Sequence, residues 1–153
     1  HCERYAVLLP GTNWPTKRWP AESFAALIEP IERELGLRVF IAGGPDVVGL
    51  PMPGATSLAG KTDLKQLVAL LEGARLVVAN DSGPMHIASA LNRPLVTLFG
   101  PTNAVRTGPY GRPDTVLQLD LVCRPCYSRE CVHQSCLRWI GVEDVMARAR
   151  ALV

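Results

Sequence analysis

Short apolar runs alternate with stretches of helical spacing along the whole chain. Tyr5-Ala6-Val7-Leu8-Leu9, halted by Pro10-Gly11, predicts a strand buried on both faces. Phe24, Leu27, Ile28, Ile31 and Leu35 then recur at helical spacing, with Gly36 placed as the C-terminal cap and Pro30 expected to kink the second half. Arg38 to Ala42 is a second strand. Asp46 to Ala55, rich in Pro and Gly, predicts a loop around a short helix, and Thr56-Ser57-Leu58 a short third strand.

Thr62 is placed as the cap of a helix carrying Leu64, Leu67, Val68 and Leu71 and closed by Gly73. Leu76 to Ala79 is a strand, Met85 to Leu91 a short helix, Leu95 to Phe99 a strand, and Thr115 to Leu119 a last strand. Val142, Val145, Met146, Ala149 and Leu152 line one face of a closing helix. Strands alternating with helices predict an α/β protein: a Rossmann-like, three-layer α/β/α domain around a mainly parallel sheet.

With 153 residues, 48% hydrophobic and 20% charged, the chain reads as a single domain over 1–153, too apolar for a disordered segment. No apolar run is long enough for a transmembrane segment. A net charge of +2, with arginines scattered rather than striped, predicts no nucleic-acid partner. His1-Cys2-Glu3-Arg4 lacks the layout of a signal peptide, and five cysteines are an odd count for a disulfide framework. Both features point to a reducing, cytoplasmic setting.

In an open parallel sheet, ligands bind beyond the carboxyl ends of the strands. Four loops should leave such ends: Pro10 to Trp19, Gly43 to Asp46, Asn80 to His86, and Gly100 to Thr102. The third runs from a buried strand into a helix. Backbone N–H groups of Ser82 and Gly83, with the helix dipole behind them, form a candidate phosphate site that His86 could reach from one turn further on. The bland alternative is that Asp81 or Ser82 only caps the helix and His86 is an ordinary histidine. In the first loop, Thr12 and Asn13 offer short donors and Lys17 or Arg18 a charge for a diphosphate; alternatively Trp14 and Trp19 merely anchor a solvated loop. No G-x-G-x-x-G fingerprint is present.

Cys123, Cys126, Cys131 and Cys136 follow C-x₂-C-x₄-C-x₄-C. That spacing is too tight for paired zinc knuckles, so a thiol-rich loop is favoured over a zinc-dependent interaction domain. No metal and no cofactor is expected.

Two loops together, Pro10-Gly11-Thr12-Asn13-Trp14-Pro15-Thr16-Lys17-Arg18-Trp19-Pro20 and Asn80-Asp81-Ser82-Gly83-Pro84-Met85-His86-Ile87-Ala88, resemble the ADP-heptose:lipopolysaccharide heptosyltransferases of glycosyltransferase family 9. Gly43-Gly44-Pro45, Leu58-Ala59-Gly60-Lys61-Thr62, Leu98-Phe99-Gly100-Pro101-Thr102 and the cysteine segment fit the same pattern. The resemblance implies the C-terminal half of a two-domain GT-B fold, the half that holds the nucleotide sugar. The N-terminal acceptor domain and its aspartate general base have no counterpart in these residues, so this chain by itself is expected to be inactive.

The implied reaction is inverting, metal-independent transfer of heptose from ADP-heptose to the lipopolysaccharide core, at the inner face of the inner membrane. By resemblance, Thr12, Asn13 and Lys17 serve the diphosphate, Asp81 the donor sugar, and Ser82, Gly83 and His86 the phosphates, with Gly11 among the substrate-binding residues. Asp46 falls where the family usually has Glu at the ribose, Thr62 lies near the adenine pocket, and Ser82 replaces the more usual Thr. Lys17, Asp81 and His86 are the candidate catalytic residues. The chain contains no Asp-x-Asp pair, in keeping with a leaving group stabilised by dipoles and a cation. A nucleotide-sugar-binding module without catalysis is the alternative from another class.

Overall fold

The computed structural model describes residues 4–153; Cys2 and the rest of the N-terminal tripeptide lie outside the described residues. Six parallel strands form one sheet in the order β3-β2-β1-β4-β5-β6. They are β1 (Tyr5–Leu9), β2 (Arg38–Ile41), β3 (Thr56–Ser57), β4 (Leu76–Asn80), β5 (Leu95–Phe99) and β6 (Val116–Gln118). The order reverses between β1 and β4, which pair from Ala6 against Leu76 to Leu9 against Ala79. That reversal is a topological switch point, where the loops leaving the two strands part and open a crevice.

Both faces of the sheet are covered, which is why its central strands read as unbroken apolar runs. On one face Ala6, Leu8, Val39, Val78 and Leu98 pack with α1 (Ala21–Leu35) and α6 (Val142–Leu152) through Phe24, Leu27, Ile31, Val145 and Met146. On the other face Val7, Leu9, Val77 and Phe99 meet α2 (Leu64–Gly73) and α3 (Gly83–Ala90) through Leu71, Met85 and Ala88. Two short helices complete the set, α4 (Ala104–Thr107) and α5 (Ser135–Arg138). The three-layer α/β/α architecture is the one expected.

Local details depart from expectation for physical reasons. Helix α1 runs through Pro30 to Leu35 and ends on Gly36 at φ 62°, a left-handed cap that suits glycine. Asp63, not Thr62, caps α2. Its carboxylate accepts the Gln66 N–H while the Gln66 side chain accepts the Asp63 N–H, a reciprocal capping box. Leu64, the first residue of the helix, is 67% exposed. The segment from Asp46 to Ala55 contains turns rather than a helix, held by Val47 buried in the core. Helix α3 starts at Gly83, two residues ahead of the predicted Met85, because Pro84 fits a first turn that lacks N–H partners anyway.

Candidate functional site

At the switch point the loops after β1 and β2 and the start of α3 enclose a cleft of about 390 Å³. Gly11, Thr12, Asn13, Asp46, Ser82 and Gly83 line it, six of the ten residues singled out in the sequence. Lys17 and Asp81 stand directly beside this wall rather than in it, Asp81 as the chain neighbour of Ser82. Thr62 is half-buried outside the cleft, and His86 is exposed on α3, also outside.

The start of α3 is open. Ser82 occupies the N-cap position but makes no side-chain cap bond, and its Oγ is buried without a hydrogen-bond partner among the described residues. A hydroxyl in that condition carries a desolvation penalty of about 1–3 kcal/mol until something pairs with it. Gly83 has free space where a Cβ would stand. The opening amides and the positive end of the helix dipole therefore lie at the cleft, with the orphan Ser82 hydroxyl buried in its lining.

Asp81 is 5% exposed and held at both ends. Thr12 Oγ1 donates to its carbonyl oxygen at 2.9 Å, and Lys17 Nζ lies 2.8 Å from its Oδ2. Thr102 Oγ1 donates to the same Oδ2, also at 2.8 Å. Lys17 arrives from a 3-10 turn at Pro15–Lys17, with its ammonium 4.5 Å from the centre of the Trp14 ring. Arg129 approaches that ring as well, at 4.6 Å. Both cations gain from the ring quadrupole, and the indole confines the lysine stem.

The first loop is tied to the sheet by Asn80, a fully buried amide at the end of an otherwise apolar strand. Its Oδ1 accepts the Trp19 N–H and its Nδ2 donates to the Pro10 carbonyl. Trp19, 1% exposed, donates its indole N–H to the Ile140 carbonyl, so the anchoring role first weighed for both tryptophans falls to this one. Arg18 forks onto the Thr12 carbonyl and reaches Asp46 at 3.7 Å. Asp46 Oδ2 also accepts the Thr12 N–H. A Cβ on Gly11 would stand 2.8 Å from Val47 Cγ2 and 2.9 Å from Asp46 Oδ2, so the close approach of these two loops requires glycine.

Asn80 and Thr102 are supporting residues to which the sequence assigns no role, while Arg18, named there as an alternative charge for a diphosphate, supports the loop through the Thr12 carbonyl. Only Asn80 left a signal: a lone amide ending a run of apolar residues. In the cysteine segment, Thr16 Oγ1 donates to the Ser128 carbonyl, and the Cys126 and Tyr127 amides both donate to the Pro101 carbonyl. This segment therefore braces the loops after β1 and β5. Among the described residues no three His, Cys, Asp or Glu side chains converge as a metal ion would need. No described helix is long and apolar enough to cross a membrane.

A family model, glycosyltransferase family 9 (heptosyltransferase), matches residues 2–137. The chain belongs to glycosyltransferase family 9. It is 38% identical over 135 residues to lipopolysaccharide heptosyltransferase 1 of Pseudomonas aeruginosa, covering 85% of this chain and 38% of that protein. Against lipopolysaccharide heptosyltransferase 2 of Escherichia coli K12 it is 36% identical, covering 72% of this chain and 35% of the relative. Among solved structures, E. coli ADP-heptose lps heptosyltransferase II superposes with a TM-score of 0.77 at 29% identity, over 98% of this chain and 46% of the other. E. coli heptosyltransferase WaaC with ADP-2-deoxy-2-fluoro heptose gives 0.69 at 26% identity, over 99% and 44%. The chain thus spans less than half the length of these family 9 relatives.

Proposed function

We propose that this chain is the nucleotide-sugar-binding half of a heptosyltransferase, corresponding to the C-terminal half of a GT-B fold. It takes ADP-heptose or a related donor, and a separate acceptor half presents the lipopolysaccharide core. The observation that carries this reading is the uncapped start of α3, with the buried, unpaired Ser82 hydroxyl, at the switch point of a parallel sheet. The family 9 relatives named for heptose transfer, and the WaaC structure with an ADP-heptose analogue, support the choice of donor.

In this reading the diphosphate lies over the amides of Ser82 and Gly83, with the Ser82 hydroxyl and the side chain of Asn13 within the same cleft. Gly11 lets the loops close on it. The negative charge that grows on departing ADP is stabilised by the helix dipole, which needs no reorganisation during reaction, and by Lys17, whose ammonium turns from Asp81 toward the phosphates. In this reading the transfer needs no metal, and direct attack by the acceptor hydroxyl from the face opposite ADP inverts the anomeric carbon. A base for that hydroxyl belongs to the acceptor half.

Asp81 is unsuited to phosphate and suited to sugar hydroxyls, which it accepts as hydrogen bonds. Asp46 offers its carboxylate to the ribose, Thr62 stands toward the adenine side, and His86 assists at the phosphates from the exposed face of α3. The reaction would run in the cytoplasm, at the inner face of the inner membrane.

Calorimetry with ADP, ADP-heptose and UDP tests the binding claim: ADP-heptose binds more tightly than ADP, and ADP more tightly than UDP. Transfer assays with and without a supplied acceptor half then separate enzyme from binding module. Heptose transfer only in the presence of that half supports the transferase; donor binding with no transfer in either case supports a non-catalytic module. Failure to bind any adenine nucleotide overturns both.

A further inference from the structure

We propose that Thr102 is a positioning residue for the donor sugar, acting through Asp81; the inference rests on the reading of Asp81 as the sugar-binding carboxylate. Thr102 lies in the loop after β5, outside the cleft wall, and is 2% exposed. Its Oγ1 donates to Asp81 Oδ2 at 2.8 Å, the oxygen that Lys17 Nζ also meets at 2.8 Å. Two donors converge on one carboxylate oxygen. Oδ1 accepts no hydrogen bond among the described residues, and it is not one of the buried unpaired atoms, so it reaches solvent and is left for a ligand.

The two donors are not equivalent. Lys17 is a mobile ammonium with three protons, and a diphosphate beside it competes for them. As the lysine turns toward phosphate, a buried carboxylate would lose its partner and swing unless a second donor keeps it in place. Thr102 is that donor, because its hydroxyl is uncharged and has no attraction to diphosphate comparable to an ammonium. Its backbone is immobilised on three sides. Gln118 Nε2 donates to the Thr102 carbonyl at 2.9 Å, Cys126 and Tyr127 amides to the Pro101 carbonyl, and Arg124 Nε to the Gly100 carbonyl at 2.7 Å. A hydroxyl fixed this firmly sets the direction of the free Asp81 oxygen, which is what selective recognition of a sugar hydroxyl needs.

The test compares ADP and ADP-heptose binding to the 153-residue chain by calorimetry. Thr102→Val keeps the shape and deletes the donor; ADP-heptose affinity should fall about tenfold, the scale of one hydrogen bond to a charged group, while ADP affinity stays within about twofold. Thr102→Ser restores the hydroxyl and should bring ADP-heptose affinity back to near the wild-type value. Equal losses for both ligands, no loss in Thr102→Val, or a Thr102→Ser variant as weak as Thr102→Val each overturn the assignment. If Thr102→Val does not fold, Thr102→Cys carries the test. Its weaker thiol donor should lower ADP-heptose affinity selectively, and an unselective effect or none overturns the proposal. A wild-type chain that binds neither ligand would sink the donor-binding reading itself, an outcome distinct from a wild type that binds normally beside an unaffected Thr102→Val.

Discussion

The ammonium of Lys17 sits 2.8 Å from Asp81 Oδ2, with the two side chains only 17% and 6% exposed. Screening is weak at such a site, so each partner defines the state of the other. Lys17→Ala removes the cation from the cleft, and ADP affinity should fall by about 1.5–3 kcal/mol, the range for hydrogen bonds to a charged group. It also strands a buried carboxylate and should lower folding stability. The double variant Lys17→Ala/Asp81→Asn neutralises that carboxylate. It should therefore recover stability in urea denaturation without recovering ADP binding in calorimetry. A double variant as unstable as Lys17→Ala would contradict the pairing.

Asp81→Asn by itself separates the two ligands. The neutral amide frees Lys17 for phosphate, so ADP should bind as tightly as before or more tightly. ADP-heptose should lose its advantage over ADP, because the carboxylate that accepts the sugar hydroxyls is gone. Titrating both ligands into one preparation checks this, and a matching loss for the two would show that Asp81 serves the nucleotide instead.

Asn80 holds the first loop against the sheet through the Trp19 N–H and the Pro10 carbonyl. Asn80→Leu leaves both groups buried and unpaired, at about 1–3 kcal/mol each. Stability should fall by about 2–6 kcal/mol in urea denaturation, with ADP affinity falling as well because Thr12, Asn13 and Lys17 lose their common support. A variant with unchanged stability would mean water or an alternative pairing replaces the amide.

The central strands β1, β4 and β5 are legible because each is short, buried on both faces and bounded by Pro, Gly or polar residues, the pattern of a doubly covered parallel strand. The loops at their carboxyl ends were legible by position, and six of the ten singled-out residues line one cleft. What stayed hidden is pairing at long range. Thr12 meets Asp81 across 69 positions, Asn80 meets Trp19 across 61, and Trp19 meets Ile140 across 121. No local period encodes such contacts. The cap of α2 failed for the opposite reason: Thr62 and Asp63 are adjacent and both good caps, and only the Gln66 side chain three residues after Asp63 decides between them.

Gly11 tests the geometry of the cleft. A methyl group there would overlap Val47 Cγ2 and Asp46 Oδ2, and Asp46 is the softer of the two because it is exposed while Val47 is buried. Gly11→Ala should therefore displace the Asp46 carboxylate from the Thr12 N–H before it disturbs the core. Adenosine, which lacks phosphates, should lose affinity in this variant by about as much as ADP does. A loss confined to ADP would place Gly11 at the phosphates alone.

Cys136 differs from its neighbours in the cysteine segment: it is 9% exposed, whereas Cys123 and Cys126 are exposed. Burial pushes its thiol pKa up, and the nearby thiols of Cys126, Cys123 and Cys131 push it further in the same direction. At neutral pH an aromatic disulfide reagent should modify Cys123 and Cys126 quickly and Cys136 slowly, since the thiolate is the reacting form. The same shift has a consequence for stability. A thiol whose pKa is raised in the folded state holds its proton more tightly there than in the unfolded chain. Its contribution is complete below the ordinary thiol pKa of about 8.5 and is lost as pH rises past that value. Urea denaturation at about pH 7 and about pH 10 should show a fall that is smaller in Cys136→Ala than in the wild type. The brace that Cys126 and Tyr127 give Pro101 makes the fall matter to the site, because Thr102 is the next residue. An identical fall in the variant would place the alkaline weakness elsewhere in the chain.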